Sequence, residues 1–313
     1  MNFNHSFRCL FLLFLLQNLA FSAYSQARLL PEETLSSTKV YYSVAEALPE
    51  KSNVYRLNIR QQNYYSFTPD LCELENLQFI NAMKNHMADV APEIGRLQNL
   101  QEINFRENKL RAFPNSFFTL SNLKTLDLSR NQFTELSAGF GKLKKLEVLL
   151  LHENLLRNIS PEIRKMKSLS ALNLSHNQLE MLPPQMAKLP NLRDLVLTQN
   201  NLRDVPEALY KLKHLQNLAL NYNQLSELPE QLGKMQELRS LSLSYNQLKT
   251  LPETLVKLEN LELLDLGYNQ LTALPQNLEK MQQLQTLILV GNNFPQAEKL
   301  RIKAALPKAT VLF

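Results

Sequence analysis

Residues 238–260 read LRSLSLSYNQLKTLPETLVKLEN, with leucine at 238, 241, 243, 248, 251, 255 and 258, asparagine at 246 and proline at 252. The Leu241-Ser242-Leu243 alternation has a period of two, so it predicts a short strand with one buried face. Leu255 and Leu258 are three apart, which sets both on one side of a helical or 3-10 turn. Pro252 fixes φ where the chain starts back from the strand. A unit of this size cannot bury its own leucines, so it needs neighbours of the same kind.

The neighbours are present. Asparagine stands at 85, 108, 131, 154, 177, 200, 223, 246, 269 and 292, and every gap is 23 residues. Gln62 holds the same place one repeat earlier. The frame fits residues 100–122 and each successive block to 261–283. It is looser in 54–76 and 77–99, where Pro69 and Pro92 come one residue late, as Pro161 does in 146–168. The eleventh block, 284–306, departs from it after Phe294. Self-similarity at this period predicts a one-dimensional array. Parallel strands stack on the concave face, and short helices or 3-10 turns lie on the convex face. The repeated asparagine ends each strand, and its side chain is expected to hydrogen-bond the backbone of neighbouring turns.

The pattern L-x-x-L-x-L-x-x-N-x-L followed by L-P-x-x-L-x-x-L resembles the leucine-rich-repeat superfamily. The 23-residue form is similar to the plant intracellular Ras-group-related proteins and the animal Ras-pathway scaffold of the same repeat type. The resemblance covers residues 54–306. It implies an α/β fold, a leucine-rich-repeat solenoid shaped as a horseshoe. It also implies non-enzymatic protein binding, with signalling added if the chain stays inside the cell. The matched residues are the structural ones, so the ligand has to be read elsewhere.

The ends are different in kind. Residues 9–21, CLFLLFLLQNLAF, follow a short segment with Arg8, and Ser22, Ala23, Ser25 and Ala27 come next. This order is that of a secretory signal peptide, cut after Ala27 or alternatively after Ser22. The run is short for a membrane span and contains Gln17 and Asn18, which leaves an uncleaved anchor as the alternative. Residues 28–42 read as a tether, with partial order through Val40, Tyr41 and Tyr42 as the alternative. Ser43-Val44-Ala45-Glu46 is a capping-box signature opening a cap helix through Leu48. Ala297 to Leu306 predicts a second cap helix with Leu300, Ile302 and Leu306 turned inward. After Pro307, Thr310–Phe313 is expected to add a last strand.

Without residues 1–27 the chain holds 33 basic and 29 acidic residues, spread along its length. That balance predicts no nucleic-acid partner. Of two cysteines, Cys9 falls in the leader, so Cys72 is left without an intrachain partner. Export without disulfides suits a bacterial envelope protein; the sequons at Asn158 and Asn173 would matter only in a eukaryote. No phosphate-binding glycine loop, nucleophile elbow or paired-cysteine motif occurs. No enzyme activity, cofactor or metal is expected.

Any site must therefore use the variable residues at positions 3, 5, 7 and 8 of each repeat, on the concave face and its rim. Eleven strands give a face of roughly 50 Å by 13 Å, about 700 Å². That suits one side of a protein or peptide interface, typically about 800 Å². Tyr222, Tyr245 and Tyr268 occupy position 8 in three consecutive repeats and predict an aromatic ladder about 5 Å apart. Asn221, Ser242, Ser244 and Asp265 lie beside it. Two readings stand for the ladder, a binding surface or simple duplication of repeats. A charged group lines the earlier repeats: Arg56, Arg60, Glu102, Arg106, Glu107, Arg130, His152, Glu153 and His176. It either meets a charged partner or pairs with itself across strands. His152 and His176 sit at different positions of adjacent repeats and need not converge. The ligand expected is a protein or peptide, with a glycan on the tyrosine rim as the alternative.

Overall fold

The computed structural model describes residues 29–313; the leader and its cleavage sites lie outside them. Thirteen parallel strands form one open sheet, from Val40–Tyr41 to Thr310–Leu312 in chain order. Each repeat contributes its positions 3–5, so Ser240–Ser242 pairs in register with Asn217–Ala219 on one side and Leu263–Asp265 on the other. The central residue of each strand points into the core: Leu57, Ile80, Ile103, Leu126, Leu149 and their equivalents through Leu287 are buried. On the convex side the chain runs in 3-10 turns such as Glu253–Lys257, begun by Pro252. One hydrophobic core runs the length of the array.

The asparagine ladder is continuous. Asn177 donates through Nδ2 to the carbonyls of Leu151, at 3.0 Å, and Leu174, at 3.0 Å, while its Oδ1 accepts from the Leu156 amide at 2.9 Å. The same set recurs from Asn85 to Asn292. Each side chain thus satisfies buried backbone groups of two repeats. A second ladder runs at position 23, where Asn99, Asn122, Asn191 and Asn260 each donate to a carbonyl of the preceding repeat and Asn76 donates to Ser52 O in the N-terminal cap. Its 23-residue recurrence was visible in the chain but broken by Lys145, Ser168, His214 and Glu237.

The late prolines have a structural consequence. Two extra parallel pairs lie outside the main sheet, Ser66–Phe67 with Asp89–Val90 and Glu135–Leu136 with Asn158–Ile159. Each is extended by an amide at position 15: Ala91 donates to Phe67 O, and Ser160 to Leu136 O. In most other repeats position 15 is proline, which has no N–H to give.

Three end features depart from the sequence reading. The N-terminal segment holds more than the order read at Val40 and Tyr41, which pair with Arg56 and Leu57: Glu32–Ser37 is also helical. Tyr41 is buried, so this segment closes the first repeat and, with the eleven repeat strands and the terminal strand Thr310–Leu312, makes the thirteenth. The cap helix spans Val44–Ala47, with Ser43 Oγ accepting from the Glu46 amide, and a 3-10 segment follows over Leu48–Asn53. At the other end Leu300 faces solvent, 59% exposed, whereas Ile302 and Leu306 are buried. The helix Gln296–Ala305 turns about 100° per residue, so Leu300 and Ile302 cannot share a face. Glu298 takes the inward place instead, accepting from the Leu274 amide and pairing with Arg301. Among the described residues no helix is long and apolar enough to cross a membrane.

Candidate functional site on the concave rim

Position 8 follows the strand at the point where the backbone turns, and it adopts positive φ in repeat after repeat. Gln61, Lys84, Glu107, Arg130, Glu153, His176, Gln199, Tyr222, Tyr245 and Tyr268 have φ between 51° and 57°, and Gly291 has 75°. This left-handed region is uncommon for any residue with a Cβ, and for a bulky one it is an outlier. The turn is helped by an aspartate or asparagine at position 5 whose Oδ1 accepts the amide of position 7. Asn104 does so for Arg106, Asp127 for Ser129, Asn173 for Ser175 and Asp265 for Gly267. The geometry lines up one exposed side chain per repeat along a single rim.

In the late repeats that column is aromatic. Tyr222 and Tyr245 stack with ring centroids 4.1 Å apart and an interplanar angle of 9°. Tyr245 and Tyr268 follow at 4.3 Å and 13°. The rings are 47%, 39% and 49% exposed. Hydrogen bonding to Tyr222 is the main cause that raises the Tyr245 phenol to about 12, with loss of solvent and a bond to Tyr268 adding to it. Tyr245 has a neighbour on each face, and Tyr268 lies against Gly291. A ligand therefore meets ring edges and hydroxyls more than open ring faces.

The polar residues beside the ladder are tied to one another. Asn221 Nδ2 donates to Ser244 Oγ at 2.6 Å and to Asp265 Oδ2 at 3.2 Å. Ser244 is buried, so of this group it supports Asn221 more than it faces a ligand. The strands beside it carry the small side chains Ala219, Ser240 and Ser242 in register with the larger Asn217, Leu263 and Asp265.

The early charged residues mostly pair among themselves. Lys84 reaches Glu107 at 3.8 Å, Arg130 reaches Glu107 at 3.6 Å and Glu153 at 3.0 Å, forming an alternating ladder along position 8. Arg106 leans on Glu107 at 3.2 Å, though its Nε makes no hydrogen bond. Arg56 donates to Ser36 O in the N-terminal helix. Arg60 is exposed at the first repeat. His176 stands exposed on the rim, while His152 points to the strand side, its Nδ1 2.8 Å from Ser129 Oγ. The structure does not bring the two histidines onto a common partner. Burial is the main cause that lowers the His152 pKa, and Asp127 opposes it. Ser129 is itself fully buried and donates to Asp127 Oδ1 at 2.5 Å. Its proton is aimed at the carboxylate and its oxygen is shielded, the reverse of an activated nucleophile. Among the described residues no group of three or more His, Cys, Asp or Glu side chains could hold a metal ion. Cys72 is buried, and its thiol is pushed up to about 12 by that burial.

Comparison with known proteins agrees with this architecture. The family model for a leucine-rich repeat region matches residues 53–177 and 206–302, and a leucine rich repeat model matches residues 167–225. No curated protein matches the chain. An internalin (InlF) from Listeria monocytogenes shares the fold at a TM-score of 0.68, with 21% identity over 85% of this chain and 82% of its own. The plant peptide hormone receptor RGFR1, solved in complex with RGF2, gives a TM-score of 0.63 and 25% identity over 73% of this chain and 42% of its own. A TDR receptor gives 0.65 and 23% over 82% and 51%. This chain thus spans about half or less of the two receptor chains. Since the first family model covers well over half of the residues, the chain belongs to the leucine-rich-repeat family.

Proposed function

We propose that this protein is a non-enzymatic recognition module that holds a protein or peptide against its concave sheet. The observation that carries this reading is the column Tyr222–Tyr245–Tyr268: three bulky side chains kept exposed on left-handed backbone, where glycine would relieve strain. Tyrosine offers large contact area at low entropic cost and is favoured in interfaces. A peptide receptor with this fold, solved with its ligand, supports the same use of the architecture. Stacking on sugar rings needs open aromatic faces, and Tyr245 has none, so the glycan alternative draws no support from the ladder.

We further propose that the protein works outside the cytoplasm, on the strength of the leader-like residues 9–27. An N-terminal sequence beginning at Arg28 in the envelope or medium fraction would support export. An intact N-terminus in the cytoplasm would return the chain to the scaffold reading.

The binding test compares wild type with a Tyr222→Ala, Tyr245→Ala, Tyr268→Ala variant as baits for envelope and medium proteins, after a melting curve shows both folded. A protein bound by wild type and lost by the variant supports the assignment. Equal recovery by both overturns the placement at the ladder.

A further inference from the structure

A second periodic feature lies away from the concave face. Position 20 of each repeat is the last residue of the 3-10 segment on the convex side. From the fourth repeat to the tenth it is always lysine: Lys142, Lys165, Lys188, Lys211, Lys234, Lys257 and Lys280. All seven are exposed. The residues preceding them are Gly, Arg, Ala, Tyr, Gly, Val and Glu, so the lysine persists where its surroundings change. The fold does not demand it, because Glu73 and Thr119 occupy the same place in the first and third repeats.

The column is thickened over repeats four to seven. Lys144, Lys167 and Lys213 stand at position 22 and Lys145 at position 23, all exposed. Lys144 Nζ donates to Lys165 O and Lys167 Nζ to Lys188 O, which places the two columns side by side. Two acids answer this group, Glu162 against Lys165 and Glu207 against Lys211. Lys142, Lys188 and Lys213 have no ion pair among the described residues. Earlier on the same flank Glu73 and Glu75 offset Arg96, which holds position 20 in the second repeat, and later Glu237 and Glu259 dilute the charge. The positive field is thus confined to one strip, at least roughly 15 Å long at the spacing of stacked strands and continuing as a single file toward Lys280.

We propose that this strip binds a linear, base-free phosphate polyanion lying along the solenoid axis. Lysine ammonium groups are compact point charges that bind phosphate without demanding a fixed fork geometry. One cation per repeat step suits a chain with charge at regular short intervals. A single aromatic side chain stands among the lysines, the half-buried Tyr210, and it packs against the core, so bases have no column of rings to stack on, which disfavours single-stranded nucleic acid. None of the large exposed apolar residues lies at positions 20–23, so the strip lacks an apolar wedge for a lipid surface. The strip lies off the strand face that holds the tyrosines, and this inference is independent of the reading of that site.

The probe is long-chain inorganic polyphosphate, with affinity measured from low salt to about 0.15 M, a range in which exposed charges become screened. A Lys142→Gln, Lys188→Gln, Lys213→Gln variant removes three cations that hold no part of the fold. It is expected to bind at least about tenfold more weakly, and the slope of log K against log salt should fall by about 2. A Lys109→Gln, Lys249→Gln, Lys308→Gln variant, with the same change in net charge off the strip, should stay within about twofold of wild type. Equal loss in both variants, no binding by wild type at the higher salt, or tighter binding to oligo-dT or to vesicles with three parts in ten phosphatidylglycerol would each overturn the proposal.

Discussion

The Tyr268 ring lies against the backbone of Gly291, so closely that a Cβ on Gly291 would come within 2.6 Å of Tyr268 Cδ1. Gly291 is also the next residue in the position-8 column, at φ 75°. The tyrosine stack therefore ends on a glycine that both accepts the left-handed turn and leaves space for the last ring.

Gly291→Ala should disturb both roles at once. The new methyl group must displace the Tyr268 ring, and an L-residue at this φ is strained. The expected cost is about 1–3 kcal/mol. Denaturant unfolding checks the stability, and a change in the near-ultraviolet circular dichroism of the stacked tyrosines checks the geometry. An unchanged tyrosine signal would show that the ring does not rest on Gly291.

The two asparagine ladders should differ in weight. Asn177→Ala leaves the buried Leu156 amide without its partner and takes one of two asparagine donors from the carbonyls of Leu151 and Leu174, which keep Asn154 and Asn200. One buried group left unsatisfied costs about 1–3 kcal/mol, and a loss in that range is expected. Asn191→Ala removes one exposed bond to Lys167 O and should cost about 0.5–1 kcal/mol. Urea midpoints of the two variants, measured side by side, decide the order.

Tyr245 should titrate apart from ordinary phenols. Its folded pKa is raised, so the fold favours the protonated form. That contribution is fully present below the ordinary tyrosine value near 10 and is lost as pH rises through about 12. Beside Tyr41, which its bond to Glu50 also raises, ultraviolet difference titration should resolve Tyr245 among the late phenols. A Tyr222→Phe, Tyr268→Phe variant should bring it back toward 10, because both hydroxyl partners are gone.

His152 carries the opposite linkage. Its folded pKa is lowered, chiefly by burial, so the native state prefers the neutral ring. The contribution is present above the ordinary histidine value of 6.5 and is lost as pH falls from there through the depressed folded value. The His152 ring resonance should titrate below 6.5 in a proton NMR series, whereas a midpoint above 6.5 would show that Asp127 outweighs burial.

Much of this fold is written in one dimension. A 23-residue period of leucine and asparagine makes each repeat's strand the neighbour of the next, because parallel stacking is the only way to bury the shared apolar face. The same period sets Tyr222, Tyr245 and Tyr268 in one file. It also carried the lysine file at position 20, which becomes meaningful once that position proves to be the exposed end of each 3-10 segment.

What repeats do not share needed the tertiary structure. The tyrosine rings close on one another, a choice set by left-handed backbone and by the space over Gly291. Arg130 is drawn between Glu107 and Glu153, contacts that span neighbouring repeats. Residues 32–41 join the array because burial of Tyr41 rewards pairing with the first strand, and Leu300 turns outward because Ile302 and Leu306 claim the helix face. Periodicity determines which residues are neighbours; side-chain direction, mutual pairing and the fit of the ends depend on packing in three dimensions.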